Sequence, residues 1–135
     1  KSIEVRKELT DEWENRGVKK GQEFAILTDE ITKAWSGFKV TQYKTFKGLK
    51  KENLRDNMTN LELVLNMLAE ATTTEISKEK NPSTFVESKI IAKQGGTIAG
   101  NTRRAIEQKT GKKVVSKMSS IQLLEFKAKQ LKGKR

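Results

Sequence analysis

Between positions 103 and 117 stand Arg103, Arg104, Lys109, Lys112, Lys113 and Lys117, with Glu107 the only acid among them. Such a run neutralises phosphates and releases the counterions condensed on a polyanion. Just before it, Gly95-Gly96-Thr97 reads as the opening of a helix, whose exposed N–H groups and positive dipole end suit a phosphate. The plain alternative is a junction between one helix stop and the next helix cap. No Gly-Lys-Ser/Thr follows at P-loop spacing. A second basic set comprises Lys47, Lys50 and Lys51. The Gly48-Leu49-Lys50-Lys51 turn precedes a helix expected near Glu52, and glycine lets backbone N–H groups approach a phosphate. An ordinary helix stop with a solvated turn explains it equally well. Tyr43 and Phe46 alternate with lysines there and are the candidates for stacking on bases. Trp13 and Trp35 lie on apolar stripes and read as core.

The charge balance points the same way. Residues 1–88 hold 15 Lys+Arg and 15 Asp+Glu, whereas residues 89–135 hold 13 Lys+Arg against Glu107 and Glu125, so the formal excess of +11 sits in the last third. A neutral body with a basic segment suits a nucleic-acid partner. The chain has neither Cys nor His. That removes disulfides, zinc fingers, thiol nucleophiles and the usual general base near neutral pH. Glu87-Ser88-Lys89 matches a fragment of a metal-dependent nuclease site, but Glu125-Phe126-Lys127 matches equally well, as chance would produce. No enzyme activity, metal or cofactor is expected. No run of about 18 apolar residues encodes a membrane span. No signal-peptide h-region is visible, and a cytoplasmic location is expected.

The elements that must position these residues read as helices. Val5, Leu9 and Trp13 make one stripe over Ser2 to Arg16, stopped by Gly17. Phe24, Leu27, Ile31, Ala34 and Trp35 define a helix from Gln22, ended by Gly37. Thr41 caps a short helix through Phe46. Thr59 and Glu62 form a capping box. The helix behind it, to about Lys80, carries apolar residues around most of its circumference and is expected to be the most buried. Asn81-Pro82 predicts the next helix start, with Gly95-Gly96 ending that helix and Thr97 capping another, stopped by Gly111. Gly96 and Gly100 form G-x-x-x-G, which in a soluble helix permits close packing. A last helix is expected from Ser119, where Ile121, Leu124, Ala128 and Leu131 make a narrow seam suited to one partner helix. No segment alternates at period 2. The expectation is all-α, with six or seven helices: a compact domain over 1–118 and a basic amphipathic helix or tail over 119–135.

Several stretches carry a resemblance: Arg6-Lys7-Glu8-Leu9, Glu23-Phe24-Ala25-Ile26-Leu27, and the run from Gly48 through Thr59. It continues with Glu62-Leu63 and Ala71-Thr72-Thr73-Thr74-Glu75, and more loosely with Gly95-Gly96 and Arg103-Arg104. In these the chain resembles the C-terminal half of the DNA-damage-inducible protein D family. Those are bacterial proteins with phage relatives, and they carry a Bro-type N-terminal domain that this chain lacks. The resemblance covers roughly residues 1–116. It implies a place in the bacterial DNA-damage (SOS) response or a phage regulator, with DNA and a RecA-type recombinase on single-stranded DNA as partners. It supplies no catalytic motif. DNA strandedness stays open. The competing expectation is an oligomerisation or protein-interaction module, with a homodimer through Ile121, Leu124, Ala128 and Leu131.

Overall fold

The structure, a computed structural model, is described over residues 1–119 and 128–129. Those residues form an all-helical fold with no strand: α1 (Ser2–Asn15), α2 (Gln22–Ser36), α3 (Val40–Phe46), a 3₁₀ turn (Arg55–Asn57), α4 (Asn60–Lys80) and α5 (Phe85–Thr110). The expected helix beginning at Ser119, with Ile121, Leu124 and Leu131, lies outside the described residues, as does Glu125-Phe126-Lys127. Ala128 of that seam is exposed.

Helices α1 and α2 follow from their stripes. Leu9 and Trp13 of α1 and Leu27, Ile31 and Trp35 of α2 are buried to 1% exposure or less. Both tryptophans are therefore core. Gly37 closes α2 in the left-handed conformation, which glycine adopts without a Cβ clash. Helix α3 begins at Val40 and not behind a Thr41 cap, because the Gln42 side chain takes the Lys39 N–H at 2.9 Å.

Helix α4 has its capping box. Glu62 N–H donates to Thr59 Oγ1 at 3.2 Å, and Thr59 N–H donates to Glu62 Oε1 at 2.9 Å. The helix buries more residues than any other described helix, as expected, but the face it buries is largely polar and not apolar. The inward face carries Glu62, Leu65, Asn66, Ala69, Glu70, Thr73, Thr74 and Ser77. Leu61 and Val64 face out, at 40% and 52% exposure. The inversion holds because Glu62, Asn66, Glu70 and Ser77 meet partners on other elements, while Thr73 and Thr74 donate back to carbonyls of α4 itself. Lys47 pairs with Glu62, the Trp35 indole N–H donates to Asn66, Arg6 and Arg55 pair with Glu70, and Ser77 donates to Glu12. Buried polar groups are tolerated when satisfied in this way.

The expected break at Gly95-Gly96 is absent. One helix, α5, runs through both glycines and Gly100, and Thr97 donates back to the Lys93 carbonyl instead of capping a new helix. The glycines lie where α5 crosses its neighbours. A Cβ on Gly95 would stand 2.8 Å from Thr73 Cα of α4, and one on Gly96 2.6 Å from the Ile31 carbonyl oxygen of α2. Gly100 faces Ala34 of α2 in the same way. Close packing thus outweighs the modest helix penalty of glycine. The predicted start at Asn81-Pro82 is also corrected. Asn81 is the left-handed C-cap of α4, at φ 50°, a conformation asparagine tolerates. Helix α5 starts at Phe85, capped by Thr84, whose Oγ1 accepts the Glu87 N–H at 3.1 Å.

Candidate nucleic-acid interface

The segments that carry the two basic sets, far apart in sequence, come into contact at the end of α3. There the C-terminal end of α3, the start of α4 and the end of α5 come together. The segment after α5 crosses this end and is pinned by a buried network. Glu62 Oε1 accepts Lys47 Nζ at 2.8 Å, and Oε2 accepts the Tyr43 hydroxyl and the Ser116 N–H. Lys47 Nζ also donates to the Met118 carbonyl at 2.8 Å. Burial first, then the Glu62 charge, pushes the Tyr43 phenol far above its ordinary range, so it stays a donor.

This network corrects two expectations. Lys47, with no exposed side-chain surface, cannot reach a phosphate; it is the counterion of a buried carboxylate. Tyr43 is equally buried and cannot stack on a base. Phe46 is half-buried, packed on Phe38 with ring centroids 5.0 Å apart, and Lys117 Nζ stands 5.7 Å above its ring.

The turn after Gly48 supplies its own anion. Glu52 Oε1 accepts the N–H groups of Lys50 at 3.0 Å and Lys51 at 2.9 Å. Glu52's own backbone N–H, then those of Lys50 and Lys51, hold its carboxyl below the usual carboxylate range. The amides proposed to cradle a phosphate are therefore taken. No helix starts at Glu52; the next element is the 3₁₀ turn. The Lys50 and Lys51 side chains are exposed.

Arg103 is also more structural than the sequence suggested. Its Nε donates to the Trp35 carbonyl at 2.6 Å, near the end of α2, and a terminal nitrogen donates to Glu107 at 2.8 Å. A cation at a helix C-terminus satisfies an orphan carbonyl and complements the dipole. Burial pushes the Glu107 carboxyl up. The Val114 N–H and the Arg103 guanidinium outweigh it, and its pKa falls below the ordinary value. Glu107 is thus engaged by Arg103 and by the turn at Val114. Arg104, Lys109, Lys112, Lys113 and Lys117 are exposed. These cations make the end of α5 and the segment after it a basic end, which Lys117 ties to Phe46 of α3; Glu52, Glu62 and Glu107 are each already bonded to the chain itself.

Glu87 bonds Ser83 and Thr84 at the α5 cap, while Lys89 leans toward Glu30 at 3.9 Å, so the two do not act as a unit. Sequence reasoning missed the polar face of α4 and its partners Arg6 and Arg55. A signal for it existed: Glu62, Asn66 and Glu70 recur every four residues in the otherwise apolar stretch from Leu61 to Ala71. None of the described helices is long and apolar enough to cross a membrane. Comparison with known proteins returns no matching family model, curated protein or solved structure.

Proposed function

We propose that this chain is a non-catalytic, nucleic-acid-binding helical module of a DNA-damage-response or phage regulatory protein. It would act in the cytoplasm on DNA, in the setting of a RecA-type recombinase. The resemblance to the DNA-damage-inducible protein D family supports the setting. The observation that carries the binding reading is the run of exposed cations Arg104, Lys109, Lys112, Lys113 and Lys117, whose one neighbouring acid in the run, Glu107, is occupied by Arg103 and the Val114 N–H. With Tyr43 buried and Phe46 covered, contact runs through phosphates more than through base stacking.

The test is fluorescence anisotropy with single- and double-stranded oligonucleotides across a salt series. Arg104, Lys112, Lys113 and Lys117, replaced together by Ala, should flatten the slope of log K against log salt by about 3–4 units on duplex. All sequences should weaken alike. An unchanged slope, or an intact chain with no affinity below about 100 μM at modest salt, would overturn the reading.

The outer face of α4 and α5 favours a second reading, a helical assembly module. Leu61, Val64, Val86, Ile90 and Ile98 lie on these two helices and are 40% to 65% exposed. Ile90 and Ile98 line one hollow with Ile76, and exposed apolar surface of this kind marks interaction sites. Under this reading, sedimentation velocity shows a concentration-dependent dimer that Ile90→Glu with Ile98→Glu abolishes. A monomer at every concentration removes it.

A further inference from the structure

A cavity of about 420 Å³ opens between α1, α2, α3, the 3₁₀ turn and α4, within the roughly 300–1,000 Å³ of small-molecule sites. Its walls bring together Arg6, Lys44, Arg55 and the carboxylate of Glu70. Glu70 is 2% exposed and holds both arginines in place. Arg55 grips it in a two-point pair, at 3.1 and 2.9 Å, and Arg6 adds a bond at 3.1 Å. Ser2 further fixes Arg55 and Thr28 fixes Arg6. A guanidinium has more donors than these bonds use. Lys44 takes no part in the Glu70 pairing. Its charge is felt by Glu52, which does not line the cavity.

The three cations exceed the single lining carboxylate by two charges. That excess matches a dianion. The arginines are already ordered by Glu70, so binding would cost little further immobilisation. Leu54 and Met58 add an apolar wall, and Asn53 and Asn66 add polar groups.

We infer that this cavity binds a phosphomonoester dianion carried on a compact organic group of nucleoside size. Arg6, Arg55 and Lys44 receive the phosphate, in the planar geometry that suits guanidinium–phosphate pairs. Leu54 and Met58 meet the organic part. The ligand is either a free mononucleotide or the 5′-phosphorylated end of a strand. None of these residues belongs to the basic end described above, so the two sites stand or fall separately.

Isothermal titration of the full chain tests this with adenosine 5′-monophosphate, adenosine, and a short oligonucleotide with a 5′-phosphate or a 5′-hydroxyl. Adenosine 5′-monophosphate should bind saturably and adenosine should not. Lys44→Glu, with its helical circular dichroism spectrum unchanged, should weaken the monophosphate at least about tenfold, and Lys44→Ala should weaken it less. The Arg104, Lys112, Lys113 and Lys117 variant should keep monophosphate binding while losing oligonucleotide affinity. A gain from the 5′-phosphate that Lys44→Glu abolishes identifies the strand end as ligand; equal oligonucleotide affinities identify the free mononucleotide. No saturation by about 10 mM, equal binding of adenosine, or undiminished binding in Lys44→Glu would overturn the inference.

Discussion

Replacing Lys47 by Met is expected to lower the stability of the fold by about 3–5 kcal/mol, the usual result of removing one partner from a buried ion pair. Both side chains lack exposed surface and the pair is 2.8 Å apart. Glu62 would keep its bonds from Tyr43, Thr59 and Ser116 but lose its counterion. Tyr43 cannot replace Lys47, because its hydroxyl is neutral. Changing Glu62 to Gln as well should recover part of the loss, since no lone charge then remains inside. A double-mutant cycle by urea denaturation measures this directly. The substitution also removes the bond to the Met118 carbonyl, one of the ties on the segment that carries Lys117. The salt slope for DNA should therefore flatten, although Lys47 itself never touches a phosphate. A stability loss below about 1 kcal/mol, the value typical of solvated pairs, would mean that water reaches the network.

Substituting Ala at Gly96 or Gly100 should destabilise the protein by about 3 kcal/mol or more, at or beyond the upper end of ordinary overpacking. Helix propensity alone predicts the opposite sign, a gain of about 1 kcal/mol. The new methyl group would lie 2.6 Å from the Ile31 carbonyl oxygen at position 96 and 2.5 Å from the Ala34 carbonyl oxygen at position 100. Those are backbone atoms of α2 and cannot rotate aside as a flexible side chain would. Relief requires α2 and α5 to separate, which opens the core around Ile31 and Trp35. Thermal unfolding of each variant settles the sign, and a stabilised protein would mean that the two helices are not held at this distance.

These two results bear on the same feature, a core in which small and polar residues sit where bulky apolar ones are usually found. Glycines bring α5 against α2 and α4. The polar face of α4 then sits within reach of Lys47, Arg6 and Arg55, which satisfy its acids. The displaced apolar residues, Leu61 and Val64, lie outside with Ile90 and Ile98 of α5.

Local signals determined much of this fold by themselves. The stripe through Leu9 and Trp13, the periodicity from Phe24 to Trp35 and the Thr59–Glu62 box depend on neighbours three or four residues apart, and each forms as read. Close packing at Gly96 and Gly100 was also foreseen from their spacing. Other features depended on residues far away in the chain. Gly95-Gly96 looks like a helix stop until α2 and α4 are laid against it. Asn81-Pro82 looks like a helix start, although Asn81 serves the helix before it and the Thr84–Glu87 pair opens the next. Lys47 looks like a solvated lysine until Glu62, fifteen residues on, takes its charge. Net charge and its skew toward the end are sums over the sequence and needed no structure. Which lysines are free to meet a phosphate was decided by tertiary contacts, because burial and ion pairing belong to pairs of distant residues and not to any one of them.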